Sequence, residues 1–593
     1  MSSTILSTSR TAEKSGDLLK AYDILMDGLA EDPDNRVFRY RAVLVLARAG
    51  ATARALQEYE RLGLNQIADD DQIISLGGRL LKDLSQSSAD RHARQRYALQ
   101  SQTRYGEAYA LHGAPYPGIN TATMACAAGD NATATTIAKE ILETLVPTDE
   151  STAEGAYYAY ATKAEALLLL DDIEKSSTAL GKALAQDPKN YTAHATTLRQ
   201  FDLICTVQNR SPDWLAPYRP PIALHYCGHM FDDVAPDSEV AALTTALTGA
   251  VTALNPGAGF GALAAGCDIL MAEALLTHGA ELHVVLPLLE EEFLDQSVRP
   301  FGPSWEQRYR ACRDQATSLR FATLESNIKD ESVFAFSSEF AMGLAIAHAG
   351  RLTTSAAQLV AWDGVETQGR AGTGADVVRG RSFGLPQTLI DFPVALRRKT
   401  SASKAHPETA ATTIAMPRLL KAMLFADVRG FSKIKEQHIG PFVHSILTPL
   451  AAANEALPVP PDLVNTWGDG LHYVYPQVED AAEAALALLN AFEAIDLEAA
   501  GLPSHLALRI GGHYGPVSPY ADPFLHADSF FGTHITIAAR IEPVAVPGTI
   551  YISEPFAALL ALRANERFAS DYVGQTELSK KFGRIPLFNV RRR

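Results

Sequence analysis

Cysteine is scarce in this chain. The five present (Cys126, Cys205, Cys227, Cys267 and Cys312) are odd in number for 593 residues, and none stands in CxxC spacing. That excludes a disulfide scaffold and a cysteine-ligated zinc site, and it fits a reducing, cytoplasmic setting. Basic charge is short as well: 52 Lys and Arg face 68 Asp and Glu, a net charge of −16. An acidic chain holds a phosphate backbone poorly, so nucleic acid is not an expected partner. The first twenty residues lack an apolar core, so no secretory signal is expected there. The longest uncharged stretch, residues 240–267, contains Asn255, Pro256 and several glycines. It is expected to be buried helix, loop and helix rather than a membrane span.

What remains is ordinary globular composition, 47% apolar and 20% charged. A chain of this length implies about three to five domains. Three unequal parts can be distinguished, and the whole is expected to be a multidomain α and α/β protein.

Residues 1–210 read as helix pairs. The run Ala21–Leu29 ends in Glu31-Asp32-Pro33-Asp34-Asn35 and is followed by a second apolar-periodic run, Phe38–Ala49. Much later Ala179–Leu184 ends in Gln186-Asp187-Pro188-Lys189-Asn190, followed by another helical run. The echo of GLAEDPDN in ALAQDPKN is an internal repeat: a helix, a Pro-containing turn, a partner helix. The region resembles a tetratricopeptide-type repeat array, whose stacked pairs bury a common face and offer a surface for a protein partner. Within it His112-Gly113-Ala114-Pro115-Tyr116-Pro117-Gly118 is expected to break the helical pattern as a turn.

Residues 219–395 change period. Pro221–Tyr226, Glu281–Pro287, Ser332–Phe336 and Gln358–Trp362 are expected strands, with a helix over Ala264–Thr277. Strands alternating with helices imply βαβ units and a parallel sheet, with ligands bound beyond the carboxyl ends of the strands. Gly228-His229, Gly266-Cys267-Asp268 and the Gly-rich run Gly369–Gly374 fall at such ends. The region resembles a Rossmann-like nucleotide-sensing domain of the SLOG type. The resemblance implies a nucleotide-like ligand; the competing reading is a structural α/β domain whose glycines only make turns. Residues 396–418 are small, polar and aperiodic, and read as a linker.

Residues 419–593 carry the chemistry. Met423–Asp427 is an apolar strand ending in a carboxylate, and Val428–Ser432 is a turn expected to open a helix whose free N–H groups could receive phosphate. Leu463–Trp467 and Leu471–Tyr475 are two strands around Gly468-Asp469-Gly470, a hairpin with an acidic tip. Aspartates on adjacent strands can share two divalent ions. Alone, each signal is weak, because an Asp-Gly pair usually marks only a turn.

Together LFADVRGFSKI, NTWGDGLHYVY, ALRIGGHYGPV, FFGTHITIAARIEPVAVPGTIYIS and ELSKKFGRIPLFNV resemble, in order and spacing, the class III nucleotidyl cyclase catalytic domain. The resemblance covers about 170 residues. It implies a ferredoxin-like α/β fold working as a head-to-tail homodimer with sites built from both protomers. The implied reaction converts a nucleoside triphosphate to a 3′,5′-cyclic nucleotide and pyrophosphate, with two Mg²⁺ or Mn²⁺ ions. It places the metal on Asp427, Val428 and Asp469, and the transition-state arginine on Arg540. Phe431 and Thr536 fall on substrate positions, Thr536 where the family orients the ribose with asparagine. The phosphate-contacting lysine falls on Lys580, with Lys581 as the alternative because LSKK replaces the usual LKG.

At the base-reading positions the chain departs from the family. Adenylyl cyclases carry lysine where Asn465 stands, and aspartate or threonine where Ser529 stands. The glutamate and cysteine of guanylyl cyclases are absent too. Asn465 and Ser529 can each donate and accept a hydrogen bond. ATP is favoured by frequency in the family, CTP or UTP in a phage-defence setting is the alternative, and an inactive nucleotide-sensing or dimerising protein is a third reading. Trp467, Phe530 and Phe531 beside these positions are read as core aromatics, with a narrowed pocket as the alternative. His513 and His534 are read as neither ligands nor base. The N-terminal parts are expected to gate the cyclase in signalling.

Overall fold

The computed structural model describes all residues except 1, 15–17, 89, 147–151, 326–330, 366–368, 397–416, 525 and 579–582. Most of the expected linker, and both Lys580 and Lys581, therefore lie outside the described residues. By compactness the chain forms two units. One contains Met1–Pro220, Val544–Tyr551 and Glu566–Arg593; the other contains Pro221–Pro543 and Ile552–Asn565.

Eleven α-helices, from Ser2–Lys14 to Tyr191–Val207, fill the N-terminal part of the first unit among the described residues. The repeated DPDN and DPKN turns have a shared physical purpose. Asn35 and Asn190 each cap the helix that follows, accepting the N–H of Phe38 and Ala193 at 3.1 and 3.2 Å. Each also ties its amide to the aspartate three residues earlier, Asp32 or Asp187, at 3.0 Å. A cap of this kind stabilises a helix by about 1 kcal/mol. The expected break at 112–118 is shorter than the sequence suggests. Gly113, at φ 64°, ends the helix Arg91–His112, and Pro115 already opens the next helix, Pro115–Ala128. Proline is tolerated there because the first N–H groups of a helix have no partner to lose.

In the second unit a six-stranded sheet comes first. Its strands are β1 (Ile222–Gly228), β2 (Pro256–Gly261), β3 (Glu281–Leu286), β4 (Ser318–Phe321), β5 (Ala356–Trp362) and β6 (Gln387–Asp391). They run in the order β4-β3-β2-β1-β5-β6, every pair parallel. Helices cover a parallel sheet on both faces, and β1 and β3 are accordingly apolar and buried along most of their length.

Two expectations fail here. Ser332–Phe336 is not a strand but the start of the helix Glu331–Leu352. That helix is apolar on nearly all sides, so its sequence lacks the 3.6-residue alternation that marks an amphipathic helix. Residues 240–267 are not only helix, loop and helix. Between the helices Asp237–Leu254 and Cys267–His278 runs β2, whose PGAGFG sequence has too little side chain to read as a strand. The Glu331–Leu352 helix is the one described helix long and apolar enough to cross a membrane, and more than half of its apolar stretch is buried.

A second sheet follows: β7 (Leu419–Arg429), β8 (Leu463–Trp467), β9 (Gly470–Tyr475), β10 (Ala507–Asp522), β11 (Ala527–Phe531) and β12 (Ile550–Ser553), which leads into the helix Glu554–Ala564. Within this unit the order is β10-β7-β9-β8, with β11 on β10. The pairs are antiparallel. Val478–Glu493 and Glu554–Ala564 contribute buried apolar side chains from helices, and Thr533–Ile541 packs Ala538 against Met423, Val474 and Val517.

The Glu331–Leu352 helix packs on Glu554–Ala564 with Gly343 at the crossing. A Cβ at Gly343 would lie 2.1 Å from the carbonyl oxygen of Ala558, so only glycine permits the approach. Arg563 pairs with Glu339 at 2.5 Å, and Arg320 with Glu554 at 2.5 Å. Phe336 meets Tyr514 edge to face at 5.4 Å.

In the first unit, β13 (Phe568–Leu578) and β14 (Gly583–Arg592) form an antiparallel hairpin against the helices. Asn589 donates to the carbonyl of Gly50 at 2.9 Å and accepts the N–H of Ile550 at 3.2 Å.

Candidate active site

The site begins with strand register. β10 lies beside β7 with Arg509 directly opposite Asp427 and Gly511 opposite Phe425. Residues paired this way share a face, and alternation puts Met423, Phe425 and Asp427 on it together. The Thr533–Ile541 helix covers that face. Its end comes closest at Gly511, where a Cβ would lie 2.3 Å from the backbone nitrogen of Glu542.

On the other side of β7 runs β9. A two-residue turn, Gly468-Asp469, joins it to β8, with Trp467 paired to Gly470 and Gly468 at φ 67°. The turn carries the Asp469 carboxyl to Asp427, and the Val428 N–H donates to it. Asp427, Val428 and Asp469, which the sequence singled out from two separate motifs, are therefore brought together. Burial, followed by the Asp427 hydrogen bond and charge, pushes Asp469 up to about 6. Two adjacent carboxylates need either a shared proton or a cation beside them.

Part of that need is met by Arg509. Its Nη2 donates to Asp427 Oδ2 at 2.9 Å, and its Nε faces Glu542 Oε1. Glu542 is pushed up to about 7, chiefly by burial, against the opposing pull of Arg509. Neither Arg509 nor Glu542 was singled out from the sequence, since the role of each is visible only in the β7–β10 register.

No group of three or more His, Cys, Asp or Glu side chains is gathered as a metal cage among the described residues. A pair of hard carboxylate oxygens does fit an ion completed by triphosphate oxygens, which is how Mg²⁺ is commonly held.

The other expected site residues are placed as follows. Thr536 and Arg540 lie four apart on the Thr533–Ile541 helix, hence on one side of it. Asn465 is on β8, where its Oδ1 accepts the N–H of Thr466 at 2.9 Å. Ser529 is on β11 opposite Tyr520. Phe431 packs on Phe442 at 4.6 Å and opens a three-residue 3-10 turn, Phe431–Lys433, rather than the expected α-helix. Gly430 at φ 95° turns the chain sharply there.

Of the three aromatics read as core, only Phe530 packs against the core. Trp467 and Phe531 are 52% and 71% exposed, because each ends a strand at the open side of the sheet. His513 and His534 are a buried, hydrogen-bonded pair at 2.8 Å, with His513 also bonded to Ser553 at 2.7 Å. Burial depresses both, His534 to about 3, so they are neutral packing groups.

Two stretches of the chain match known families. The family described as "Adenylate and Guanylate cyclase catalytic domain" matches residues 421–588, and "Tetratricopeptide Repeats-Sensor" matches residues 17–125. An adenylate cyclase of Streptomyces griseus is 27% identical over 177 residues, 29% of this chain. The chain spans about 41% of the length of that curated relative. Among solved structures, the guanylate cyclase domain of RhGC from Catenaria anguillulae in complex with GTP is 19% identical, covering 30% of this chain and 99% of that one, with a TM-score of 0.26. The adenylyl cyclase CyaB from P. aeruginosa is 16% identical, covering 30% and 96%, with a TM-score of 0.27. Residues 421–588 are thus a class III adenylate/guanylate cyclase catalytic domain, and residues 17–125 a tetratricopeptide-repeat sensor region.

Proposed function

We propose that the protein is a cytoplasmic class III nucleotidyl cyclase that converts a nucleoside triphosphate to its 3′,5′-cyclic nucleotide and pyrophosphate. The observation that carries this reading is the meeting of Asp427 and Asp469, with the Val428 N–H on the second carboxyl. A decayed domain has no reason to keep two like charges together, because their repulsion only destabilises the fold.

In this reading Asp427 and Asp469 hold two Mg²⁺ or Mn²⁺ ions together with the triphosphate, and the backbone of Val428 completes the set. Bound there, the ions would activate the ribose hydroxyl and neutralise the leaving pyrophosphate. Thr536 orients the ribose and Arg540 stabilises charge on the reacting phosphate, both from the partner protomer of a homodimer. Lys580 or Lys581 contacts phosphate. Phe431 flanks the triphosphate. Asn465 and Ser529 read the base edge, and ATP is favoured over CTP and UTP.

The domain assignment runs 1–210 for tetratricopeptide-like repeats, 219–395 for a Rossmann-like sensor of the SLOG type, 396–418 for the linker and 419–593 for a ferredoxin-like cyclase domain. The sensor parts gate the cyclase. Two contacts support gating. The helix Glu331–Leu352 crosses Glu554–Ala564 without clearance at Gly343. Glu325 accepts the N–H of Thr533, at the start of the helix that carries Thr536 and Arg540, while pairing with Arg418 at 2.8 Å. A nucleotide-like ligand on the 219–395 domain, or a protein on the repeats, would act through such contacts.

The test is to offer the full chain ATP, GTP, CTP and UTP together with Mn²⁺ and to identify the product by mass. Cyclic AMP as the main product is expected. Cyclic CMP or cyclic UMP alone would replace ATP with the pyrimidine reading, and no cyclic product under any condition would leave a binding protein.

A further inference from the structure

We infer that Arg509 is a positioning residue for the metal site: it fixes the Asp427 carboxylate by one oxygen and anchors it, through Glu542, to the helix that carries Arg540. The inference rests on the reading of Asp427 as a metal ligand and goes beyond it by naming what holds that ligand.

Three observations carry it. Arg509 is directly opposite Asp427 on β10, so the two side chains leave the sheet side by side. Its Nη2 bonds Oδ2 of Asp427 at 2.9 Å and leaves the Oδ1 side of that carboxylate to another partner. Its Nε edge faces Glu542, the residue next after the Thr533–Ile541 helix. Arg509 and Glu542 are each more than four-fifths buried at the side chain, so the arrangement is part of the packed interior and not a solvated surface pair.

A guanidinium is suited to this because its planar fork can serve two carboxylates at once, which an ammonium on a flexible stem cannot do with fixed geometry. The close approach at Gly511 adds a reason for precision. With glycine there, the chain at Glu542 lies against β10 two residues from Arg509, so the Glu542 carboxylate has little freedom to move away. Arg540 lies two residues before Glu542. One guanidinium therefore joins the strand that bears a metal ligand to the helix that bears the transition-state arginine. In a head-to-tail dimer these two groups of one chain serve different active sites, so Arg509 would link the two sites within each protomer.

Groups that orient a metal ligand from outside its coordination sphere typically contribute about 10- to 100-fold to metal affinity or activity. The test measures Mn²⁺ binding to the full chain without nucleotide, from the free-ion electron paramagnetic resonance signal, alongside melting temperature. Arg509→Gln is expected to weaken Mn²⁺ binding by about tenfold or more. Arg509→Lys, which keeps the charge but not the fork, is expected to recover only part of the loss. Glu542→Gln, which keeps the volume and loosens the anchor, is expected to shift binding in the same direction by less. It also provides a second reading should Arg509→Gln melt early.

Asp427→Ala separates the two possible failures. If it abolishes binding while Arg509→Gln and Glu542→Gln bind as wild type, the positioning role is wrong and the metal reading stands. If Asp427→Ala itself binds Mn²⁺ as wild type, the metal reading fails first.

Discussion

Asp427 and Asp469 show how little sequence separates a turn from a site. Asp469 sits in a two-residue turn that many proteins would leave to solvent, yet here its carboxyl is pushed up to about 6 by burial and by Asp427. If, as proposed, both aspartates hold the metal ions, replacing either with alanine is expected to lower cyclisation by about a thousandfold or more, since metal assistance supplies several kcal/mol at the transition state. Initial rates at saturating Mn²⁺, with circular dichroism as the folding control, check this.

A second residue-scale prediction concerns Asp268, buried behind β1 and accepting the N–H groups of Gly228 and Ala264. Burial pushes it up to about 7 from 3.8. A carboxyl whose folded pKa is raised contributes stability that is fully present below its unfolded pKa and is lost as pH rises through the folded value. The melting temperature of the wild type should therefore fall, relative to Asp268→Asn, as pH goes from about 4 to about 7, and the difference should level off above that. Parallel pH profiles for the two proteins would contradict it.

At the scale of elements, legibility followed side-chain content. β1, β3 and β5 could be read because a buried parallel strand is a short apolar run bounded by turn residues. β2 could not, because glycine, alanine and proline fill it where Leu275 and Tyr226 press against the backbone at Gly259 and Gly261. Ser332–Phe336 looked like a strand for a related reason: a helix buried on nearly all sides has no polar face to reveal its period. The site divides in the same way. Asp427 and Asp469 announced themselves in motifs, whereas Arg509 lies in a strand where an arginine has no signature until its cross-strand partner is known.

Two substitutions test the packing of elements. Gly343→Ala puts a methyl group 2.1 Å from a backbone carbonyl that cannot swing aside, and should destabilise by about 1–3 kcal/mol, read as a lower denaturant midpoint. Asn190→Ala removes a helix cap and its tie to Asp187, and should cost about 1 kcal/mol by the same measurement.

At the scale of the whole molecule, each compact unit mixes N-terminal sequence with sequence from the cyclase region. The unit of the repeats includes Val544–Tyr551 and Glu566–Arg593, and the unit of the six-stranded sheet includes Pro221–Pro543 and Ile552–Asn565. In the proposed reading, control would act through packed contacts within the second unit, such as those at Gly343 and Glu325. In the proposed reading this chain is a cyclase whose site is shared between two copies. That reading is tested most directly by mixing two inactive full-length variants, Asp427→Ala and Arg540→Ala, under conditions where labelled subunits demonstrably exchange. Cyclic nucleotide formation is expected to return in the mixture, with one competent site per mixed dimer. A mixture that exchanges subunits and stays as inactive as its components would contradict it.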